Sequence, residues 1–352
     1  MLSRYDHERG AVMPFLRNAW YIAAWAEEVA DAPIARVLLD RPVVLYRLAD
    51  GTAVALEDRC CHRALPLSLG RVVGDRLQCG YHGLEFDRTG ACVNVPGQST
   101  IPPEARIKCY PVVERYRWIW IWMGEPDRAD PATVPDFHWL DDPGWVAPTG
   151  TFHLAADFQR LLDNLLDFSH VQFVHARTIG TDAVVGSQSK VTRDGNAIEI
   201  DRWILDSPPP PLFARAGGFD GNVDRWMNCR FTPPSSVVFD IGCARVGTGA
   251  MDGDRGQGIE IRSLHGITPE TATSAHYFWG YARNFALDDE AMTAELRDGA
   301  RATFAEDVEI LAHQQAAIDR EVEAPGIDIN GDAGALLARR ITEELLAAEA
   351  SD

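Results

Sequence analysis

Two pairs of soft metal ligands lie close together in the first third of the chain. Residues 59–63 read Arg-Cys-Cys-His-Arg and residues 78–83 read Gln-Cys-Gly-Tyr-His-Gly, so Cys60 and His62 are followed, after a gap of sixteen residues, by Cys79 and His82. Each half offers one thiolate and one imidazole. On two loops of a small β domain, such halves suit a mixed-ligand [2Fe–2S] cluster, with two cysteines on one iron and two histidines on the other. Replacing two thiolates by neutral imidazoles lowers the negative charge on the cluster and eases its reduction. The rival is a structural zinc ion, although zinc fingers usually pair Cys with Cys and His with His.

A second constellation follows about ninety residues downstream. The stretch 163–175, Asp-Asn-Leu-Leu-Asp-Phe-Ser-His-Val-Gln-Phe-Val-His, carries Asp163, Asp167, His170 and His175. Apolar residues recur at helical spacing from 156 to 174, which predicts an amphipathic helix. Asp167 and His170, three apart, share a face of it. His170 and His175 are five apart, which a regular helix separates by about 140°. To bind one metal together they need the helix to end or bulge between them. Two histidines and a carboxylate form the facial triad that leaves positions open on a mononuclear non-haem Fe(II). Asp307, in Ala-Glu-Asp-Val-Glu-Ile-Leu on a long C-terminal helical segment, is the expected third ligand, with Glu306 as the fallback. Taken alone, Asp and His at helical spacing more often form a solvated polar stripe.

The elements that must position these residues follow from the hydrophobic pattern. Strand-like runs begin near Val37, with turns expected at Asp50-Gly51, Gly74-Asp75 and Asp87-Arg88-Thr89-Gly90. Arg117–Met123 closes this β-rich region, and the alternating Trp118, Trp120 and Trp122 are expected in packing roles. A Pro-rich passage from Gly124 to Pro135 reads as an interdomain linker. Beyond it come the paired-histidine helix, strand-like runs over 196–283, a long helical pattern from Asp288 to about Arg320, and a last short helix. His265 and His276 fall on these strands and could face a substrate. The division expected is 1–12 as a loose extension (with His7 solvated), 13–126 as a cluster domain, and 127–352 as a catalytic α+β domain.

Composition narrows the partners. With 33 Lys and Arg against 52 Asp and Glu, the formal net charge of −19 argues against nucleic acid and anionic lipid. The N-terminal residues show no apolar core of a secretory signal, and no stretch approaches the roughly 18 apolar residues of a membrane span. Five of seven cysteines fall within fifty residues, which reads as metal chemistry in a reducing compartment, so cytoplasm is the expected location. Neither a P-loop nor a Gly-rich dinucleotide fingerprint is present, so electrons must come from a reductase partner.

The run Cys-x-His-Arg at 60–63, with Leu-Gln-Cys-x-Tyr-His-Gly-Leu-Glu-Phe-Asp from Leu77, resembles the Rieske domain of aromatic-ring and O-demethylating oxygenases. Phe-Leu-Arg-Asn-Ala-Trp-Tyr at 15–21, Ile-Thr-Pro-Glu-Thr at 267–271 and Arg-Asn-Phe at 283–285 extend the resemblance, from about Met13 onward, to the branch of vanillate O-demethylase and dicamba monooxygenase. Two departures stand out: Cys61 and Gly80 occupy positions where the family usually has proline, which removes φ restraint from the cluster loops.

The resemblance implies an all-β Rieske [2Fe–2S] domain, then a helix-grip (START-like) domain with an antiparallel sheet around a long helix. It implies Cys60, His62, Cys79 and His82 on the cluster, and His170, His175 and Asp307 on the iron. In a head-to-tail homotrimer, Asp167 would be the catalytic relay between His82 of one subunit and His170 of the next. The family takes electrons from a reductase, at times through a ferredoxin, and uses O2 to hydroxylate a small aromatic substrate. O-demethylation of a methoxyarene, giving a phenol and formaldehyde, is the expected reaction. Methyl hydroxylation and ring cis-dihydroxylation are the alternatives, and a Rieske electron carrier is a more distant one.

Overall fold

The computed structural model describes residues 15–30, 32–175, 189–320 and 327–351. The extension expected over 1–12, with His7, lies outside the described residues. The chain divides into two compact units, one of residues 15–136 with 268–271, the other of 137–267 with the residues from 272 on.

The first unit is built of three small antiparallel sheets. Strands β1 (Trp20–Trp25), β10 (Val112–Arg115) and β11 (Trp118–Trp122) form one, in the order β1-β11-β10. A second joins β2 (Ile34–Leu38), β3 (Arg41–Arg47), β4 (Ala53–Glu57) and β9 (Cys109–Tyr110). The third, β5 (Arg71–Val73), β6 (Arg76–Gln78), β7 (Glu85–Phe86) and β8 (Cys92–Asn94), carries the second cluster loop between β6 and β7.

Turn chemistry sets this register. Gly51 closes the β3–β4 hairpin at φ +86°. Gly90, at φ +80°, lets its backbone approach Ile107 so closely that a Cβ would sit 2.2 Å from the Ile107 carbonyl oxygen. Trp118, Trp120 and Trp122 are all buried; the rings of Trp118 and Trp25 lie 5.1 Å apart, and those of Trp122 and Trp20 5.4 Å apart. The Gly124–Pro135 passage read as a linker instead packs on this unit in short 3-10 turns, where the Trp20 indole donates to the Asp130 carbonyl at 2.9 Å.

The second unit is a seven-stranded antiparallel sheet: β12 (Thr149–Leu154), β18 (Ser274–Arg283), β17 (Ile259–Thr271), β16 (Ser236–Arg245), β15 (Val223–Thr232), β14 (Ala197–Ser207) and β13 (Ser189–Asp194), in that order. Its helices are α1 (Phe158–Leu166), α2 (Val171–Val174), α3 (Pro211–Gly217), α4 (Glu290–Ile318) and α5 (Ala333–Ser351). Asp157 and Asp289 cap α1 and α4 by accepting from Gln159 N and Met292 N. Phe304 of α4 packs on one face of the sheet against His265, Tyr277, Trp279 and Tyr281. This is the helix-grip arrangement, a long helix held against an antiparallel sheet. On α1, Asp163 is taken up by Gln159 and by Arg339 of α5.

The single helix expected over 156–174 is interrupted. It stops at Leu166, and Asp167 is extended at φ −113°, ψ 109°. The Asp167 carboxylate accepts from the Ser169 amide at 2.7 Å and its hydroxyl at 2.8 Å, so the side chain competes for backbone donors and starts a new turn, Phe168–His170. One break therefore falls before His170, and the helix then ends at Val174, between the two histidines as their spacing requires, with His175 as its cap.

Candidate metal centres

The two cluster loops share a backbone plan. Cys60 N donates to Leu65 O and Ala64 N to Cys60 O, both at 2.9 Å. Cys79 N donates to Leu84 O at 2.8 Å and Gly83 N to Cys79 O at 3.1 Å. Each loop turns through a left-handed residue, Ala64 at φ +57° and Gly83 at φ +74°. The plan buries Cys60 and Cys79 and leaves His62 and His82 exposed.

The imidazoles of His62 and His82 lie 4.6 Å apart, centre to centre, and the exposed Tyr81 ring stacks on His82 at 3.8 Å. Burial, with the adjacent Cys79 thiol reinforcing it against the His62 backbone amide, pushes the Cys60 thiol up to about 11. A thiol of this kind needs a metal to ionise it, and a buried cysteine pair beside an exposed imidazole pair fits a mixed-ligand cluster. Cys61 is exposed. A Cβ at Gly80 would lie 3.0 Å from the Leu69 carbonyl oxygen.

In the second unit the interrupted helix and α4 bring three ligand side chains together. One donor atom each from His170, His175 and Asp307 falls within 4.8 Å of the other two. Asp307 Oδ1 is 3.2 Å from His175 Nε2 and 3.7 Å from His170 Nε2. The histidines flank α2, His175 in the capping position that ends it, and their rings are 5.2 Å apart. One short turn thus brings together two residues that a regular helix would turn apart.

Each ligand atom is aimed by a further contact. His170 Nδ1 lies 2.5 Å from the Asp167 carbonyl, so the backbone of Asp167, not its carboxylate, is the acceptor for His170 within the chain. His175 Nδ1 lies 2.9 Å from Glu306 Oε2. Asn164 donates to Asp307 Oδ1 at 3.1 Å. Glu306, considered above as a fallback ligand, therefore sits behind His175. Adjacent helical residues diverge by about 100°, so only one of Glu306 and Asp307 can enter the triad.

Burial holds His170 below the ordinary imidazole value. It also acts to lower His175, but the hydrogen bonds and charges of Asp307 and Glu306 outweigh it and hold His175 above that value. Two imidazoles and a buried carboxylate converging with their far sides occupied fit the donor set of a divalent iron site.

Two further features were not assigned from the sequence. Asn164 is one, although a helix-disfavoured amide beside Asp163 in a leucine-rich helix is a signal. His265 turns toward α4, buried, with Nδ1 2.7 Å from Tyr277 Oη and Nε2 2.8 Å from Ser263 Oγ. Burial lowers its pKa to about 3, so it is neutral. His276 pairs with His153 across the β12–β18 ladder on the opposite face. The β pleat sends Tyr277 and His276 to different sides, so of the two candidates only His265 shares a face with the triad helix.

Comparisons with known proteins agree with this geometry. Residues 19–111 match the Rieske [2Fe-2S] domain, and residues 154–348 match the vanillate O-demethylase oxygenase C-terminal domain. The chain is 42% identical over 340 residues to the toluene-4-sulfonate monooxygenase system iron–sulfur subunit of Comamonas testosteroni, covering 95% of this chain and 98% of that one. It is 38% identical over 340 residues to a vanillate O-demethylase oxygenase subunit of a Pseudomonas species, covering 95% and 96%. The crystal structure of dicamba monooxygenase with non-heme iron and dicamba superposes with a TM-score of 0.83 at 35% identity, covering 96% of this chain and 99% of that one.

Proposed function

The chain belongs to the Rieske non-haem iron oxygenases, in the branch of the vanillate O-demethylase oxygenase components, and from that premise we propose ligands for its two cofactors. Cys60, Cys79, His62 and His82 hold the [2Fe–2S] cluster; His170, His175 and Asp307 hold the mononuclear iron. The observation that supports this most directly is the convergence of three candidate ligand atoms from the two residues flanking α2 and from α4, with Glu306, the Asp167 carbonyl and Asn164 behind them.

The protein is the oxygenase component of a multicomponent monooxygenase, served by a reductase or ferredoxin and acting on an aromatic substrate. When bound, the iron supplies O2 activation and insertion of one oxygen atom into a C–H bond, using electrons delivered through the cluster. The residues of the chain supply orientation and a dry environment. Glu306 and the Asp167 carbonyl fix which nitrogen of His175 and of His170 faces the metal. Phe239, Phe304 and Tyr277 surround His265, and Phe168 packs on Phe239, giving apolar surface against which an aromatic ring can stack.

The reaction proposed is O-demethylation of a methoxyarene to a phenol and formaldehyde. Hydroxylation of a ring methyl is the second reading, favoured by the toluene-4-sulfonate relative, whose named substrate bears a methyl group and no methoxy group. We also propose a cytoplasmic head-to-tail homotrimer in which Asp167 joins His170 to His82 of a neighbouring copy. None of the described helices is long and apolar enough to cross a membrane.

The test is iron content and EPR of anaerobically purified protein. The wild type is expected to hold about three irons per chain and give a Rieske signal on reduction. D307A is expected to keep the signal, fall to about two irons and form no product. A colourless protein with one zinc per chain, or a D307A variant that retains its third iron, refutes the assignment.

A further inference from the structure

Arginines on the strands of the second unit are mostly paired with carboxylates. Arg262 of β17 binds Asp240, as does Arg255 from the preceding connection, and Arg262 also reaches Glu260 at 2.8 Å. Arg230 bridges Glu199 and Asp194, and Arg245 meets Asp220 at 2.5 Å. Arg225, the third residue of β15, is different. It is only 9% exposed, yet among the described residues no carboxylate pairs with it and no side-chain hydrogen bond holds it. The ionisable groups acting on it are the Cys243 thiol, directly across on β16, and a second guanidinium, Arg202.

The pleat of β15 fixes its direction. Val223 packs with Ile261 and with Leu296 of α4, whereas Trp226 lies on the opposite face beside Asp240 and Arg255. Arg225 shares the Val223 face, between the sheet and α4. Phe239 and His265 stand on that same face, nearer to Phe168 and the triad helix. A buried guanidinium without a counter-ion is costly and is retained where a ligand completes it. In a chain of formal net charge −19, a fixed cation is also what draws an anion inward.

We propose that Arg225 is the anion receptor of the catalytic domain, taking the carboxylate or sulfonate of an aromatic acid whose ring lies along Phe239, His265 and Phe304. This rests on the oxygenase reading above and narrows it to anionic substrates. The planar fork of guanidinium donors matches a carboxylate in bidentate fashion and also accommodates a sulfonate. With the acid held at Arg225, the ring substituent opposite it is directed toward His170, His175 and Asp307, so Arg225 positions the oxidised group without touching it.

The experiment is anaerobic calorimetric titration of the iron-loaded full chain with four probes: 4-methylbenzoate, toluene-4-sulfonate and their neutral amides. The wild type is expected to prefer at least one acid over its amide by about tenfold or more, the worth of a charged hydrogen bond. Which acid is preferred separates a carboxylate site from a sulfonate site. R225M is expected to lose that preference while binding the amides as before. R225K, for use where R225M does not fold, keeps the charge but not the fork and should lose the preference several-fold. Equal binding of acid and amide by the wild type, or an undiminished preference in either variant, overturns the proposal. Arg225-dependent anion binding by a chain whose D307A variant keeps its third iron would instead sink the iron-site reading and leave the receptor standing.

Discussion

Removing the carboxylate of Glu306 while leaving all three proposed iron ligands in place tests whether the site depends on its outer contacts. Glu306 Oε2 sits 2.9 Å from His175 Nδ1. The His175 side chain is 3% exposed and that of Glu306 27%. Losing such an outer partner typically weakens metal binding tenfold to 100-fold, about 1.4 to 2.7 kcal/mol. The dry imidazole argues for the upper end and the part-exposed carboxylate for the lower, so E306L should weaken iron(II) binding about 30-fold. E306Q keeps an acceptor oxygen for Nδ1–H and should lose less. The assay is anaerobic competition for iron(II) with a calibrated chelator, followed by iron counting.

The metal-free protein offers an independent check. The raised folded-state value of His175 stabilises the fold below the unfolded imidazole value, and this contribution fades as pH rises through the folded value. E306L should therefore destabilise the metal-free chain at pH 6 and barely at pH 9. Iron affinity within about twofold of wild type, together with a pH-independent stability change, would refute the argument that Glu306 orients His175.

Two other outcomes test packing and pH. His265 is buried and neutral, with its pKa lowered to about 3, so unfolding below the ordinary imidazole range takes up a proton that the native state refuses. Stability should fall as pH drops from about 6.5 toward 3, and H265Q should flatten part of that slope in denaturant titrations at stepped pH; an unchanged slope would place the acid sensitivity elsewhere. G90A must combine φ +80° with a Cβ 2.2 Å from the Ile107 carbonyl oxygen, whereas G51A, at φ +86°, meets nothing within 4 Å. Unfolding monitored by cluster absorbance should show a loss of about 2–4 kcal/mol for G90A and about 1 for G51A, and equal losses would contradict the clash.

Residue types and spacing alone picked out the two candidate metal-binding constellations and the succession of a small β-rich region by a larger α+β one. Cys60, His62, Cys79 and His82 are legible because soft ligands rarely recur at two-loop spacing, and the turns at Gly51 and Gly90 because positive φ favours glycine. The long C-terminal helix and the strand-rich second half were visible as hydrophobic periods. What remained hidden depended on competition between distant groups.

Periodicity ran the helix through Asp167, since it does not register a side chain that captures the Ser169 amide and restarts the turn. Helical geometry showed that Glu306 and Asp307 could not both bind the metal, but only the rotation of α4 against α2 decided that Asp307 faces in and Glu306 backs His175. Strand pleating guaranteed that Tyr277 and His276 face opposite ways, and only the packing of Phe304 showed which side was inside. Arg225 could not be singled out from the sequence at all. Its distinction is that no carboxylate lies beside it among the described residues, a property of the partners that the fold brings near and not of the residue or its neighbours in the chain.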